Sequence, residues 1–288
     1  MANFLTRILP RRFRSDAIAI PVVRLSGAIM TGGSLLRPTL SLASAAPLLE
    51  KAFSHKRAPA VAILVNSPGG SPVQSRLIYQ RIRDLAREKD KRVLVFVEDV
   101  AASGGYMIAC AGDEIIADPS SIVGSIGVVS GSFGFVEALR KLGIERRVHT
   151  AGTNKATLDP FQPERPEDIE HLKTLQREVH DTFIALVRES RGKRLVEDDD
   201  LFSGLFWSGK RGVELGLVDR LGDIRGTLRE RYGKNVKLLL IQGSRSLFGR
   251  KSPGVQVTGG SLAEIGAGIT SEFLGAAEER MLWARFGL

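Results

Sequence analysis

From Ala17 onward the apolar positions switch repeatedly between strand-like runs and helical spacing. Ile18–Leu25 reads as a strand and Ala45–Ser54 as a helix. Ala60–Val65 (AVAILV) is unbroken apolar sequence and reads as a buried strand. It ends in Asn66-Ser67-Pro68-Gly69-Gly70. Ser71, Pro72 and Gln74 then supply an N-cap, a first-turn proline and a capping-box partner. The helix they open carries Val73, Leu77, Ile82 and Leu85 near one face. Arg92–Val97 (RVLVFV) is a second buried strand, running through Ala101-Ala102-Ser103-Gly104-Gly105 into an apolar helix, Tyr106–Ala111. Short strands are expected at Glu114–Ala117, Ile126–Val129 and Arg146–Thr150. The longest helix, Pro166–Arg191, has proline at its start and Glu167 and Asp168 in its first turn, which suits the helix dipole. Ile169, Leu172, Leu175, Val179, Phe183 and Leu186 form its expected buried stripe, with His171 and His180 at the surface. Strands alternating with helices predict an α/β fold with largely parallel pairing.

Four segments follow from this pattern. Residues 1–16 are basic and amphipathic, 17–242 form the α/β domain, 243–260 read as a flexible linker, and 261–288 as a last amphipathic helix capped by Ser261 and Glu264. A chain of 288 residues, 43% hydrophobic, buries a large core without disulfides. The lone Cys110 excludes an internal disulfide and any multi-cysteine zinc site, and its apolar surroundings predict a buried structural thiol. No apolar run approaches the length of a membrane span, and Met1–Arg14 lacks the apolar core of a secretory signal. The expectation is a soluble, cytoplasmic protein, at most peripheral on a membrane. Lysine and arginine outnumber aspartate and glutamate by 41 to 32, which favours acidic partners. Phe4, Leu5, Ile8 and Leu9 among four arginines suit either a frayed terminus or a weak contact with anionic lipid. No basic stripe interleaved with aromatics points to nucleic acid.

The candidate chemistry sits where buried strands end. Gly69-Gly70 and Gly104-Gly105 both follow such strands, the region where sites gather in parallel α/β folds. Two backbone N–H groups there can form an oxyanion hole, worth about 3–4 kcal/mol per donor to an acyl-transfer transition state; the alternative is a pair of tight turns. Ser103 stands on the second turn, between strand and helix, in the position of an exposed nucleophile. It needs a base. None of His55, His149, His171 and His180 lies in a comparable loop beside an acid. A desolvated lysine is the other option, and Lys155 lies in a loop with few charges, Gly152–Thr157.

NSPGG at 66–70, AASGGY at 101–106, GSIGV at 124–128, the Lys155 loop and WSGKRGVELGLVD at 207–219 together resemble the short form of the signal peptide peptidase A family. The resemblance spans roughly Ile18 to Tyr232. It implies a ClpP/crotonase-type fold of repeated strand-strand-helix units and a serine endopeptidase with a Ser-Lys dyad. Carried over, Ser103 is the nucleophile, Lys155 the general base, Ser125 the hydroxyl that orients the lysine, and Gly70 and Gly104 the oxyanion hole. The implied substrates are extended apolar peptides such as remnant signal peptides, with no metal and no cofactor. The short form also implies a homo-oligomeric ring in which Lys155 serves a neighbour's Ser103, although the loop could instead fold back within one subunit. This chain departs from the family in lacking the usual N-terminal anchor and the tyrosine common before the lysine. A crotonase-type acyl-CoA enzyme and a non-catalytic membrane-surface scaffold are the alternative readings.

Overall fold

The computed structural model describes residues 17–31, 39–242 and 279–288. Strands β1 (Ala19–Ser26), β2 (Ala60–Ser67) and β3 (Arg92–Ala102) form the middle of an eight-stranded sheet. The others are β4 (Glu114–Ala117), β5 (Ile122–Gly124), β6 (Phe206–Ser208), β7 (Arg220–Leu221) and β8 (Lys237–Leu240). Their order is β6-β5-β3-β2-β1-β8, with β4 pairing β3 and β7. Among the described residues only β5–β6 is antiparallel. The expected α/β architecture is therefore present.

The unbroken apolar runs are explained by two cores. Val61, Ile63 and Val65 of β2, with Val93, Val95 and Val97 of β3, enter the larger one. Helices α1 (Leu42–Phe53) and α2 (Pro72–Lys89) cover it through Leu49, Phe53, Ile78 and Ile82. The alternate residues Ala60, Ala62, Leu94 and Phe96 enter the smaller core, closed by Leu228 of α7 (Ile224–Tyr232). A strand with period-two side chains and a core on each face has no polar side.

Several expectations need correction. Gln74 does not close a capping box on Ser71; its Oε1 accepts the Leu42 N–H at 2.9 Å and ties α2 to the start of α1. Val73 and Leu77 are exposed, and Ser75, Ile78, Ile82, Leu85 and Ala86 make the buried face of α2. β3 runs five residues beyond Val97, with a register shift opposite Val65/Ser67. Ile126–Val129 and Arg146–Thr150 are not strands. The edge beside β3 is filled instead by β5, which β6 caps from the other side, so the chain leaves the sheet at Ser125. No residue between Gly127 and Glu167 is buried, which leaves residues 146–150 no strand to pair with.

Between the short helices α4 (Val136–Leu142) and α6 (Gly209–Glu214), helix α5 has the expected bounds, Pro166–Arg191, but its apolar face is buried only in the second half, through Phe183, Leu186 and Val187 with Arg191; in the first half only Asp168 is buried. Leu175, on the first half, is 45% exposed. The sequence 207–219 has a structural role. Arg191, 1% exposed, holds Asp219 through both guanidinium nitrogens at 2.8 and 2.9 Å and donates Nε–H to the Gly216 carbonyl. Asp219 also accepts the Ile115 N–H of β4 at 2.7 Å. The basic segment 1–16, the linker 243–260 and the last helix as far as residue 278 lie outside the described residues. Residues 279–284 are helical.

Candidate active site

β3 delivers Ser103 at its carboxyl end, and helix α3 (Gly104–Ala109) starts directly after it. The turn between them is too sharp for an ordinary backbone: Ser103 has φ +53° and ψ −122°. A non-glycine residue is held there only by its surroundings. Here the Ser103 N–H donates to the Gly124 carbonyl of β5 at 2.8 Å, and Met107 N–H donates back to the Ser103 carbonyl at 3.0 Å. The Ser103 hydroxyl caps nothing and is partly exposed. Among the described residues the Ser103 hydroxyl has no hydrogen-bond partner, and the turn presents it at the mouth of a strand end.

The Asn66–Ser71 turn meets this one from the neighbouring strand. Ile29 holds it by taking the Ser71 N–H on its carbonyl at 2.7 Å and donating its own N–H to the Gly69 carbonyl at 2.8 Å. Contact is close enough that a Cβ on Gly69 would lie 2.8 Å from the Ser103 Cβ. Among the described residues, neither the Gly70 nor the Gly104 N–H has a hydrogen-bond acceptor. Both glycines line one cavity of about 470 Å³ with Ser103. Its apolar wall includes Met107, Val129, Val179, Phe183 and Phe286. Such a cavity offers a nucleophile, two donors and room for a peptide's apolar side chain.

Ser125 begins the segment that leaves β5. It is 2% exposed, with φ +53°, and is held by its N–H to the Leu205 carbonyl at 2.7 Å. Since Ala102 pairs with Gly124 across β3 and β5, Ser103 and Ser125 leave adjacent strands side by side. Lys155 is not with them. It is exposed in a turn closed by its own N–H to the Gly152 carbonyl at 3.3 Å, and it does not line the Ser103 cavity. The base of that loop is pinned: Asp168 accepts the Leu158 N–H at 3.3 Å and two hydrogen bonds from Arg165. The Arg165 guanidinium holds the Asp168 carboxyl below its ordinary range, as Arg146 does for Asp159.

One neighbour escaped sequence reasoning. His180, expected at the surface, lines the Ser103 cavity, and its Nε2 lies 3.0 Å from the Ile126 carbonyl. The available signal was its spacing, three residues before Phe183 on the buried stripe. Cys110 is the buried thiol expected, its pKa pushed up to about 12 by burial, and it is chemically quiet. Among the described residues no cluster of His, Cys, Asp or Glu could hold a metal ion, and no helix is long and apolar enough to cross a membrane.

The chain is similar to known proteins along its whole length. It is 65% identical over 290 residues to a protein of Brucella abortus named as a Na(+)/H(+) antiporter; the match covers 100% of this chain and 39% of that protein. It is 29% identical to a chloroplastic serine protease of Arabidopsis thaliana, covering 78% of this chain and 34% of the relative. The chain thus spans well under half the length of these relatives. Among solved structures, a mutant of a membrane-bound stomatin-specific protease aligns with a TM-score of 0.49 and 16% identity, covering 79% of this chain and 99% of that one. The model of peptidase family S49 matches residues 85–237, a stretch that begins in α2, carries Ser103, Ser125 and Lys155, and ends in β8. That stretch is more than half of the chain, and the chain belongs to peptidase family S49.

Proposed function

We propose that this chain is a serine endopeptidase with a Ser103–Lys155 dyad, acting on extended apolar peptides such as remnant signal peptides. The observation that carries the reading is the convergence of the strained Ser103 turn with the unspent Gly70 and Gly104 N–H groups in one apolar cavity. Ser103 Oγ attacks the scissile carbonyl while the neutral Lys155 amine takes its proton. The oxyanion rests on the two N–H groups. The lysine then protonates the leaving amine, and a water deprotonated by the same lysine releases the acyl group from Ser103. The Ser125 hydroxyl, on the adjacent strand end, orients the lysine amine. This chemistry needs no metal or cofactor.

Lys155 acts on the Ser103 of a second copy. Supporting this, Lys155 lies outside its own chain's cavity, and its lobe exposes large apolar residues, Phe133 and Leu142 being about 70% exposed. Phe133, Phe135 and Phe161 adjoin one another there; exposed apolar surface of this kind marks an interaction site, and a head-to-tail contact closes into a ring. The antiporter name belongs to the Brucella protein; the peptidase reading rests on the S49 segment of this chain.

A fluorophosphonate probe tests the dyad. Wild type should label at Ser103, Ser103→Ala should not, and Lys155→Ala should acylate about 10²–10⁴ times more slowly. Refolding the two inactive variants together should restore part of the peptidase activity. A wild-type protein labelled elsewhere or not at all overturns the reading, and a mixture that forms hetero-oligomers yet stays inactive overturns the shared site.

A further inference from the structure

We propose that His180 is a positioning residue: its ring N–H holds the Ile126 carbonyl and thereby fixes the Gly124–Gly127 segment against Ser103. The inference rests on the peptidase reading above and adds to it a residue that the dyad does not include.

The segment is strained and must be held in place. Gly124 has φ +99° and Ser125 φ +53°, and the chain departs from the sheet between them and Gly127. Its peptide groups are fixed one by one. The Gly124 carbonyl accepts the Ser103 N–H, the Ser125 N–H donates to the Leu205 carbonyl, and the Gly127 N–H folds back on the Ser125 carbonyl at 3.0 Å. The Ile126 carbonyl completes the set, and His180 Nε2 stands 3.0 Å from it. A carbonyl oxygen can only accept, so Nε2 carries the hydrogen in either charge state of the ring. Beyond Gly127 the chain becomes exposed, so the His180 contact is the last anchor before the uncovered lobe begins.

His180 is itself well supported for this task. It lies on α5 at the point where the helix turns from exposed to buried, three residues before Phe183, which is 3% exposed. The helix is rigid there, while the segment it grips is not regular structure. The contact transmits directly to the chemistry, because the Gly124 carbonyl that receives the nucleophile's N–H is two residues from Ile126. Releasing the Ile126 carbonyl would let Ser125 relax from its positive φ, and both Ser103 and the cavity wall at Gly127 and Val128 would shift with it.

The test compares donors with non-donors at one position. Glutamine places an amide N–H near the site of Nε2; phenylalanine fills the space without a donor, and methionine does so flexibly should phenylalanine not fit. In His180→Phe and His180→Met, acylation of Ser103 by a fluorophosphonate probe should fall about 10- to 100-fold, the scale of a misplaced reacting group. For peptide hydrolysis the loss should appear in kcat, with KM within about twofold of wild type. His180→Gln should recover most of the rate. If the non-donors acylate at the wild-type rate, or if glutamine fails as badly as phenylalanine in a folded protein, the assignment is wrong. A wild-type protein that never labels at Ser103 overturns the peptidase reading and this assignment with it.

Discussion

Gly104 has no room for a side chain: a Cβ there would lie 2.2 Å from Ser75 Oγ and 3.2 Å from Ser75 Cβ. Ser75 cannot retreat easily, since it is buried in α2 and its hydroxyl donates to the Ser71 carbonyl at 2.7 Å. An alanine must therefore push the start of α3 away, and with it the Gly104 N–H that the proposed mechanism assigns to the oxyanion. Gly104→Ala should lower the acylation rate about 10²–10³-fold, as loss of an oxyanion-hole donor does, while most of the fold survives. Gly134→Ala is the control, because nothing lies within 4 Å of a Cβ there and its φ is unremarkable. Equal rates for Gly104→Ala and Gly134→Ala would mean that Gly104 contributes packing and no catalysis. At this scale the sequence showed where Ser103 would stand, because a small-residue turn joins a recognisable buried strand to an apolar helix. It was silent about His180, whose role comes from a carbonyl 54 residues away in the chain. Nor can the separation of 52 positions from Ser103 to Lys155 be read as a distance.

Elements with strong local signals were legible, and those fixed by tertiary partners were not. Pro166 and two acids in the first turn defined the start of α5, and the apolar runs defined β2 and β3. β5 is only three residues long, too short to leave a period, so Ile126–Val129, with three β-branched residues out of four, reads as more strand-like than the strand itself. The buried half of α5 was indistinguishable from its exposed half, because the same stripe runs through both. The helical residues 279–284 and the turn after them show how far tertiary contact decides. Phe286, 7% exposed, packs on Val100 and Ala102 of β3 and meets Phe206 of β6 edge-on, with 5.0 Å between ring centroids. Trp283 adds to the same small cluster. Truncating a buried phenylalanine costs about 3–5 kcal/mol, more than so short a segment can supply from its remaining contacts. Phe286→Ala should therefore release residues 281–288 from the sheet without unfolding it. Amide exchange should speed up there and stay slow in β2 and β3. Protection retained at 283–286 would show that other contacts hold the segment.

For the whole molecule, Asp219 joins parts of the chain that are far apart in sequence. It receives Arg191 from the end of α5, Arg194 at 3.0 Å and the Ile115 N–H of β4, while its own N–H returns to the Ile115 carbonyl at 2.8 Å. Tyr106 of α3 adds a 2.8 Å hydrogen bond to the Leu217 carbonyl in the same turn, so the helix that follows Ser103 is braced by this junction. Burial alone would raise the Asp219 pKa, but the hydrogen bonds and charge of Arg191 prevail and hold it below its ordinary value of 3.8. The sign follows. A carboxyl lowered by folding contributes stability that is complete above its unfolded pKa and disappears as pH falls through the folded one. Asp219→Asn removes the charge and leaves Arg191, which has no exposed side-chain surface, unpaired. At pH 7 this should cost about 3–5 kcal/mol, the usual consequence of halving a buried pair. As pH falls below 3.8 the unfolded wild type takes up a proton before the folded one does, and the gap between the two proteins should begin to narrow. Urea unfolding midpoints of both proteins, measured from pH 7 down to pH 3, give the comparison. A gap that stays constant over that range would mean that Asp219 acts through its shape and hydrogen bonds, with its charge contributing nothing to stability.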